Sequence, residues 1–364
     1  MQTLFAHYKG SFLFTFVALA LSVWLGFAQG DGVSGMLSVL WIVVVLSILE
    51  ISLSFDNAVV NATVLRDMDE KWQRRFLTWG IAIAVFGMRI VFPLAIVAIA
   101  ASIGPIEALN LSLNDPETYE ALVSDAHIGI AGFGGAFLTM VGLKFFFDAD
   151  KEVHWISVIE RFLAKVSNID AAAIAVLVLA LYLISLALPD AEALTFLASG
   201  MLGLLTYILV EAIGTLLDMA DNNAASGAAR SGLGGFLYLE VLDASFSFDG
   251  VIGAFALTNN MLIIALGLSI GAMFVRSMTI HLVRAGTLSQ YRYLEHGAFW
   301  AIIVLGAIML TSAVVHIPET ITGLIGATLI GLSLFWSIRH ARKHPEDAAE
   351  ANAQAGPSGS PVSS

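Results

Sequence analysis

The sequence predicts an all-α, polytopic membrane protein of about ten transmembrane helices, and three observations predict it. Hydrophobic residues make up 58% of the 364 positions and charged residues only 13%. With a mean hydropathy of +0.85, that leaves too little polar surface to cover a water-soluble domain. The apolar residues fall in long runs, not in the narrow stripes of soluble helices. The basic residues are confined to alternate connections, the pattern of a chain that crosses a bilayer repeatedly.

In order along the chain, the candidate spans are 11–29, 37–64, 76–102, 128–147, 171–188, 194–217, 234–257, 261–284, 297–315 and 320–338. The first follows Lys9 and ends in small residues, as a signal peptide does, but the run from Ser11 to Ala28 is long enough to be a retained helix. One set of connections carries Lys9; Arg66, Lys71, Arg74 and Arg75; Lys151, Arg161 and Lys165; Arg230; Arg292; and Arg339, Arg342 and Lys343. The other set carries no base. Its stretch 103–127 holds Glu107, Asp115, Glu117, Glu120 and Asp125, and it also includes "PDAEA" at 189–193 and "HIPET" at 316–320. The positive-inside rule then places both termini in the cytoplasm, with a multi-pass membrane domain over 1–340. Residues 345–364, rich in Ala, Pro, Gly and Ser, read as a disordered cytoplasmic tail.

Glycines recur at helix-packing spacing: Gly129, Gly132, Gly134 and Gly135 in the fourth span, Gly267 and Gly271 in the eighth. "GIAGFGG" follows no strand and lies within a span, so helix packing and not nucleotide binding accounts for it. There is no Walker-type loop followed by Lys-Ser or Lys-Thr. The absence of cysteine removes disulfides, thiolate metal sites, iron–sulfur clusters and thiol nucleophiles. The net charge of −12 does not suit nucleic acid.

An internal repeat organises the polar residues. "EISLSFDN" at 50–57 aligns without a gap on "DASFSFDG" at 243–250, an offset of 193. Each copy is followed by a span with one buried arginine, Arg89 and Arg276, and then by an acid and a histidine that open the next span: Asp125 and His127, Glu295 and His296. The basic connections give the two copies opposite directions, so repeat one (about 11–147) and repeat two (about 194–315) have inverted topology, with 171–188 and 320–338 as extra helices. Inverted repeats with functional residues near the midplane are the plan of secondary transporters.

At helical spacing Ser47, Glu50, Ser54, Asn57 and Asn61 form one polar stripe, and Glu240, Asp243, Ser247 and Gly250 form its counterpart. Asp56 and Asp249 lie about 120° off the stripes, each four residues after a serine, Ser52 and Ser245. Either each helix presents two polar faces, or it unwinds near Ser-Phe-Asp. Glu50, Asp56, Glu240, Asp243 and Asp249 would together cost on the order of 10 kcal/mol in a bilayer unless paired or neutralised. Only Arg89 and Arg276 are deep enough to pair with them, so the remaining charge calls for a cation, protons or both. Carboxylate, amide and hydroxyl oxygens suit hard divalent ions, and Ser54 and Ser247 join the ligand set. For His127 and His296, a gate or proton relay and a plain helix-end role both fit.

Through "LEISLSFDN", "LEVLDASFSFDG", the arginine of the following span and "YLEHGAFWAI" at 293–302, the chain resembles the TerC family of membrane proteins. The likeness covers roughly 35–340 and is greatest to a bacterial branch of unknown function. That family is similar to a wider group of inverted-repeat exporters of amino acids and divalent cations. It is named for tellurite resistance, and some members are implicated in manganese efflux. The resemblance implies that Glu50, Asp56, Asn57, Asp243 and Asp249 line the ion site. Gly250, standing where the first copy has Asn57, departs from the pattern. The expectation is a non-enzymatic transporter that exports a divalent metal, manganese first. Its only partners are lipid and the metal itself as cargo, it has no cofactor, and self-association is compatible with it. Other readings are a transporter of another solute, a proton-coupled protein linked to tellurite resistance, an intramembrane aspartyl hydrolase and a membrane scaffold.

Overall fold

A computed structural model describes residues 2–28, 32–100, 102–148, 153–166, 171–220, 232–284, 287–315 and 317–344, and every regular element among them is helical. The predicted tail, 345–364, and the basic residues Lys151 and Arg230 lie outside the described residues. The first helix is α1 (Gln2–Ala28), which is apolar. The predicted second span is two helices, α2 (Gly32–Leu53) and α3 (Phe55–Arg66), broken at Ser54. The third is α4 (Glu70–Ala82), a π-helical stretch Ile83–Val91 and α5 (Phe92–Ala100). Pro93 offers no N–H to the Arg89 carbonyl and its ring crowds that carbonyl, which loosens the turn where the π-helical stretch forms.

Two short helices follow, α6 (Pro105–Asn114) and α7 (Pro116–Asp125), each opening on a proline whose missing N–H costs nothing there. Asp115 caps α7 by accepting from the Thr118 N–H at 3.3 Å. Next come α8 (His127–Phe146), α9 (Ser157–Val166), α10 (Ala172–Ser185), α11 (Asp190–Ala220), α12 (Leu233–Ala254), α13 (Met261–Arg284), α14 (Thr287–Gln290), α15 (Leu294–Ser312) and α16 (Glu319–Lys343).

Among the described residues seven helices, α1, α2, α8, α11, α13, α15 and α16, are long and apolar enough to cross a membrane. The α4–π–α5 segment, bent by 44°, makes an eighth if counted as one span. The other two predicted spans fall on α10, which has only 14 residues, and on α12, whose Glu240, Asp243 and Asp249 break its apolar character.

Small residues set the packing. The helix α8 lies between α11 and α15. A Cβ at Gly132 would stand 2.7 Å from the Phe196 carbonyl oxygen, and one at Gly135 2.8 Å from Leu310 Cγ. On the other side of the bundle α13 runs parallel to α2: Gly267 meets Leu46 at one level and Gly271 meets Glu50 one turn on. These approaches place backbone against backbone, which is how helices gain dispersion contacts when no hydrophobic effect drives them together. They also bring α12 and α13 against both broken segments of the first half.

Candidate functional site

The predicted stripe is a buried one: Ser47, Glu50, Ser54, Asn57 and Asn61 are all excluded from solvent. Arg89, from the π-helical stretch, donates to Glu50 Oε1 and, at 2.9 Å, to the Ala84 carbonyl. The Glu50 stem lies against Gly271 of α13. Its second oxygen, Oε2, faces Gly250 of α12, where a Cβ would stand only 2.9 Å away. One turn earlier, Ser47 donates to the Val43 carbonyl at 2.6 Å and meets the Gly267 carbonyl at 3.1 Å.

The second copy carries the equivalent ion pair. Arg276 of α13 stands 3.9 Å from Asp243 of α12. Its guanidinium donates to the Gly80 carbonyl at 2.6 Å and to the Phe76 carbonyl at 3.5 Å, and lies 3.9 Å over the Phe76 ring. Glu240 sits beside this group, buried, with no hydrogen bond on either carboxylate oxygen. A Cβ at Gly80 would come within 2.8 Å of both Glu240 Oε1 and Arg276 Nη1, so Gly80 leaves the room these two groups occupy.

Two cavities meet at Glu50. One, of about 40 Å³, is lined by Glu50, Ser54, Asp56 and Asn57 together with Leu53, Phe246, Gly250, Leu305, Thr322 and Gly323. The other, of about 340 Å³, is apolar apart from Glu50 and lies among Leu46, Leu49, Ala254, Leu257 and Pro318. Leu46 shares the larger cavity with Ala254 and Leu257, whereas Ser54, Asp56 and Asn57 share the smaller one with Phe246. Asp56 accepts from the Asn57 N–H at 3.0 Å. The ion pairs of the described residues leave both Asp56 and Glu240 out.

Among the described residues, several oxygens on α3 and α12 are buried without a hydrogen-bond partner: Asn57 Oδ1, Asn61 Oδ1, Ser247 Oγ and both oxygens of Glu240. All but the serine are pure acceptors. A buried acceptor left unpaired costs about 1–3 kcal/mol, so this set of oxygens is primed for donors or a cation. Among the described residues no three His, Asp or Glu side chains form a ready metal cage. The oxygens on offer are carboxylate, amide and hydroxyl together, and the side chain of Asp249 lies outside the described residues.

The structure separates some residues that the spacing groups together. Ser52 is exposed and bonds back to the Ile48 carbonyl at 2.7 Å, whereas Asp56 is buried. Of the two options that the spacing left open, the first copy takes the unwound one, with its break at Ser54 between these two residues. Neither histidine lines the cavities. His127 Nε2 lies 3.4 Å from Ser312 Oγ, and His296 Nδ1 lies 3.0 Å from Glu160, at opposite ends of the antiparallel α8–α15 pair.

Two contributions lie outside the spacing argument. The helix α16 closes the small cavity with Thr322 and Gly323, and its Gly326 faces Asp56; the three-residue glycine spacing is the signal for that close approach. Glu160 of α9 is buried and accepts from the Trp155 and Ile156 N–H groups at 2.9 and 3.1 Å and from Trp300 Nε1 at 2.9 Å, besides meeting His296. Burial pushes its carboxyl upward, but the His296 and Trp300 contacts outweigh that and hold it at about 2.

No curated protein and no solved structure matches the chain. A family model does match, described as "Protein of unknown function (DUF475)", over residues 55–344, from the first residue after the Ser54 break to the end of α16. That span is most of the chain, and the protein belongs to the DUF475 family.

Proposed function

We propose that this protein is a secondary transporter that exports a divalent metal ion, manganese first, by alternating access at the buried carboxylates. The observation that carries this reading is the set of buried, unpartnered acceptors on α3 and α12, beside two buried arginine–carboxylate pairs. A hard cation satisfies carboxylate, amide and hydroxyl oxygens at once, and this set suits Mn²⁺, Mg²⁺ or Ca²⁺. In the resting arrangement Arg89 and Arg276 neutralise Glu50 and Asp243. An entering ion competes with them for the carboxylates, and the freed guanidiniums keep their carbonyl partners Ala84 and Gly80. Asp56, which has no ion-pair partner among the described residues, and Glu240 beside Arg276 then add further carboxylate charge.

The transport plan we propose is ten spans in two inverted repeats, with α10 and α12 crossing despite their short length and their acids. Several correspondences support it. Arg89 pairs with the acid of its own copy, as Arg276 does. Ser47 meets Gly267 while Glu240, its counterpart, stands against Gly80. The helix α13 packs on α2 as the π-helical stretch packs on α12. The basic connections favour both termini in the cytoplasm, and the likeness of "LEISLSFDN" to the TerC family favours metal as cargo.

The test is flux in proteoliposomes over a panel of divalent ions, with and without a pH gradient. Mn²⁺ uptake is expected in the parent and at background in Asp56→Ala. Equal flux in both, or none of any divalent ion in the parent, overturns the assignment. A second reading, transport of an organic cation, draws on the apolar cavity of about 340 Å³ with one carboxylate at its base. Amine flux without metal flux in the same vesicles would select it.

A further inference from the structure

We infer that the Glu50 side chain is the movable partition between the apolar vestibule and the small polar chamber, and that Gly250 is the position that leaves it room to move. Three residues, Glu50, Leu53 and Gly250, line both cavities. Leu53 is wedged against Gly323 of α16 and fixed there by close packing. Gly250 has no side chain. What separates the two spaces is therefore one carboxylate, held through Oε1 by Arg89 and facing Gly250 with Oε2.

The vestibule offers a charged species nothing polar before Glu50, since its other lining side chains are apolar. A narrow apolar passage that ends on one carboxylate resists wetting until a cation is exchanged onto that carboxylate. Arg89 is the group exchanged away, and it retains the Ala84 carbonyl when released. Once Glu50 turns, the chamber beyond presents Ser54, Asp56 and Asn57. The first copy carries Asn57 where the second carries Gly250. A side chain at 250 would press on Glu50 Oε2 from 2.9 Å and pin it against Arg89. The departure between the copies thus has a physical reason: one copy supplies the moving acid and the other supplies the gap it moves in. What passes rests on the transport reading above; the partition itself does not.

The chain has no cysteine, so single cysteines report accessibility without background. Ser54→Cys probes the chamber and Leu49→Cys the vestibule, in full-length protein in proteoliposomes, with a small cationic methanethiosulfonate as the reagent. We expect both sites to react. Adding Gly250→Ala should slow labelling at position 54 at least tenfold and leave position 49 unchanged. Adding Glu50→Ala to that pair should restore labelling at 54, which separates a closed partition from a misfolded protein. Labelling at 54 that ignores Gly250→Ala, or that Glu50→Ala fails to restore, overturns the inference. Adding Mn²⁺ tests the cargo independently. Loss of labelling at 54 on adding the ion supports metal in the chamber. No protection by any divalent ion, with the Gly250→Ala effect intact, would leave the partition standing and remove the metal.

Discussion

Residues 50–57 and 243–250 share the same acid–x–Ser–x–Ser–Phe–Asp pattern and take different backbones. The first copy breaks at Ser54 between α2 and α3, whereas the second runs unbroken through α12. The span after the first copy contains a π-helical stretch around Arg89, and Arg276 sits in a regular α13. Neither break is encoded by Ser-Phe-Asp alone, since the same tripeptide is helical in α12. The difference lies in what packs against each copy. Leu53 is pressed by Gly323, Asp56 faces Gly326, and Pro93 disturbs the helix that carries Arg89. The first half is distorted where it meets the cavities, which both halves line; the second is regular and holds the more fully coordinated arginine. A locally distorted membrane helix is where a bound ion has backbone and side chains to rearrange.

The largest expected effect comes from unpairing the two arginines in turn. Glu50→Ala leaves Arg89 buried with the Ala84 carbonyl as its remaining partner and its Nε unsatisfied. The cost is expected at about 3–5 kcal/mol, that of an uncompensated buried charge. Asp243→Ala should cost less, because Arg276 keeps Gly80, Phe76 and the neighbouring Glu240. Thermal unfolding of the two purified variants in one detergent ranks them. Equal losses would mean the two copies are energetically alike despite their backbones.

Exchanging the residues that distinguish the copies comes next. Gly250→Asn forces a side chain toward Glu50 Oε2 and is expected to cost up to about 3 kcal/mol, as overpacking does. Asn57→Gly removes an amide whose oxygen has no partner, and the loss should stay near the roughly 1 kcal/mol of a helix glycine. Both should abolish flux. Their melting temperatures should differ by several degrees, and a reversed order would remove Gly250 as the tighter position.

Much of the site was legible because the bilayer makes polar residues conspicuous. The stripe through Glu50 and Asn57 follows helical spacing, and Arg89 and Arg276 stand alone in apolar spans. The structure joins each arginine to the acid of its own copy. The break at Ser54 was not legible in detail, because the glycines that pack on Leu53 and Asp56 come from α16, far along the chain. Unwinding and a continuous helix were both open from spacing, and the two copies divide those options between them. Glu160 was hidden for another reason: it is one of several acids in a connection of mixed charge, and nothing local announces that His296 and Trp300 will meet it. Fewer helices qualify as spans than predicted because α12 carries the acids of the site itself.

Glu160 and Glu240 are both buried acids, one surrounded by donors and the other by none. The Glu160 carboxyl is held at about 2, below its ordinary 4.5. A depressed carboxyl stabilises the fold above the unfolded value and loses that contribution as pH falls from 4.5 toward 2. Docking of α9 should therefore be constant from neutral pH to about pH 5 as far as Glu160 is concerned, and weaken below it. Glu160→Gln places an amide N–H₂ against donors and is expected to cost about 2 kcal/mol. Hydrogen exchange in α9 reads both effects. Protection lost already between pH 7 and 5, and still lost there in Glu160→Gln, would assign the sensitivity to another group.

Glu240→Gln should be the mildest change of all. Both Glu240 oxygens lack hydrogen bonds, so an isosteric amide surrenders none, and stability should shift by less than about 0.5 kcal/mol. Its counterpart Ser47→Ala loses a bond to the Gly267 carbonyl and should cost about 1 kcal/mol. The small stability effect makes Glu240→Gln informative for transport. A neutral group there cannot take up or release a proton, so flux that depends on a pH gradient in the parent should lose that dependence. Unchanged pH dependence in a well-folded Glu240→Gln protein would move any proton coupling to Asp56, which has no ion-pair partner among the described residues.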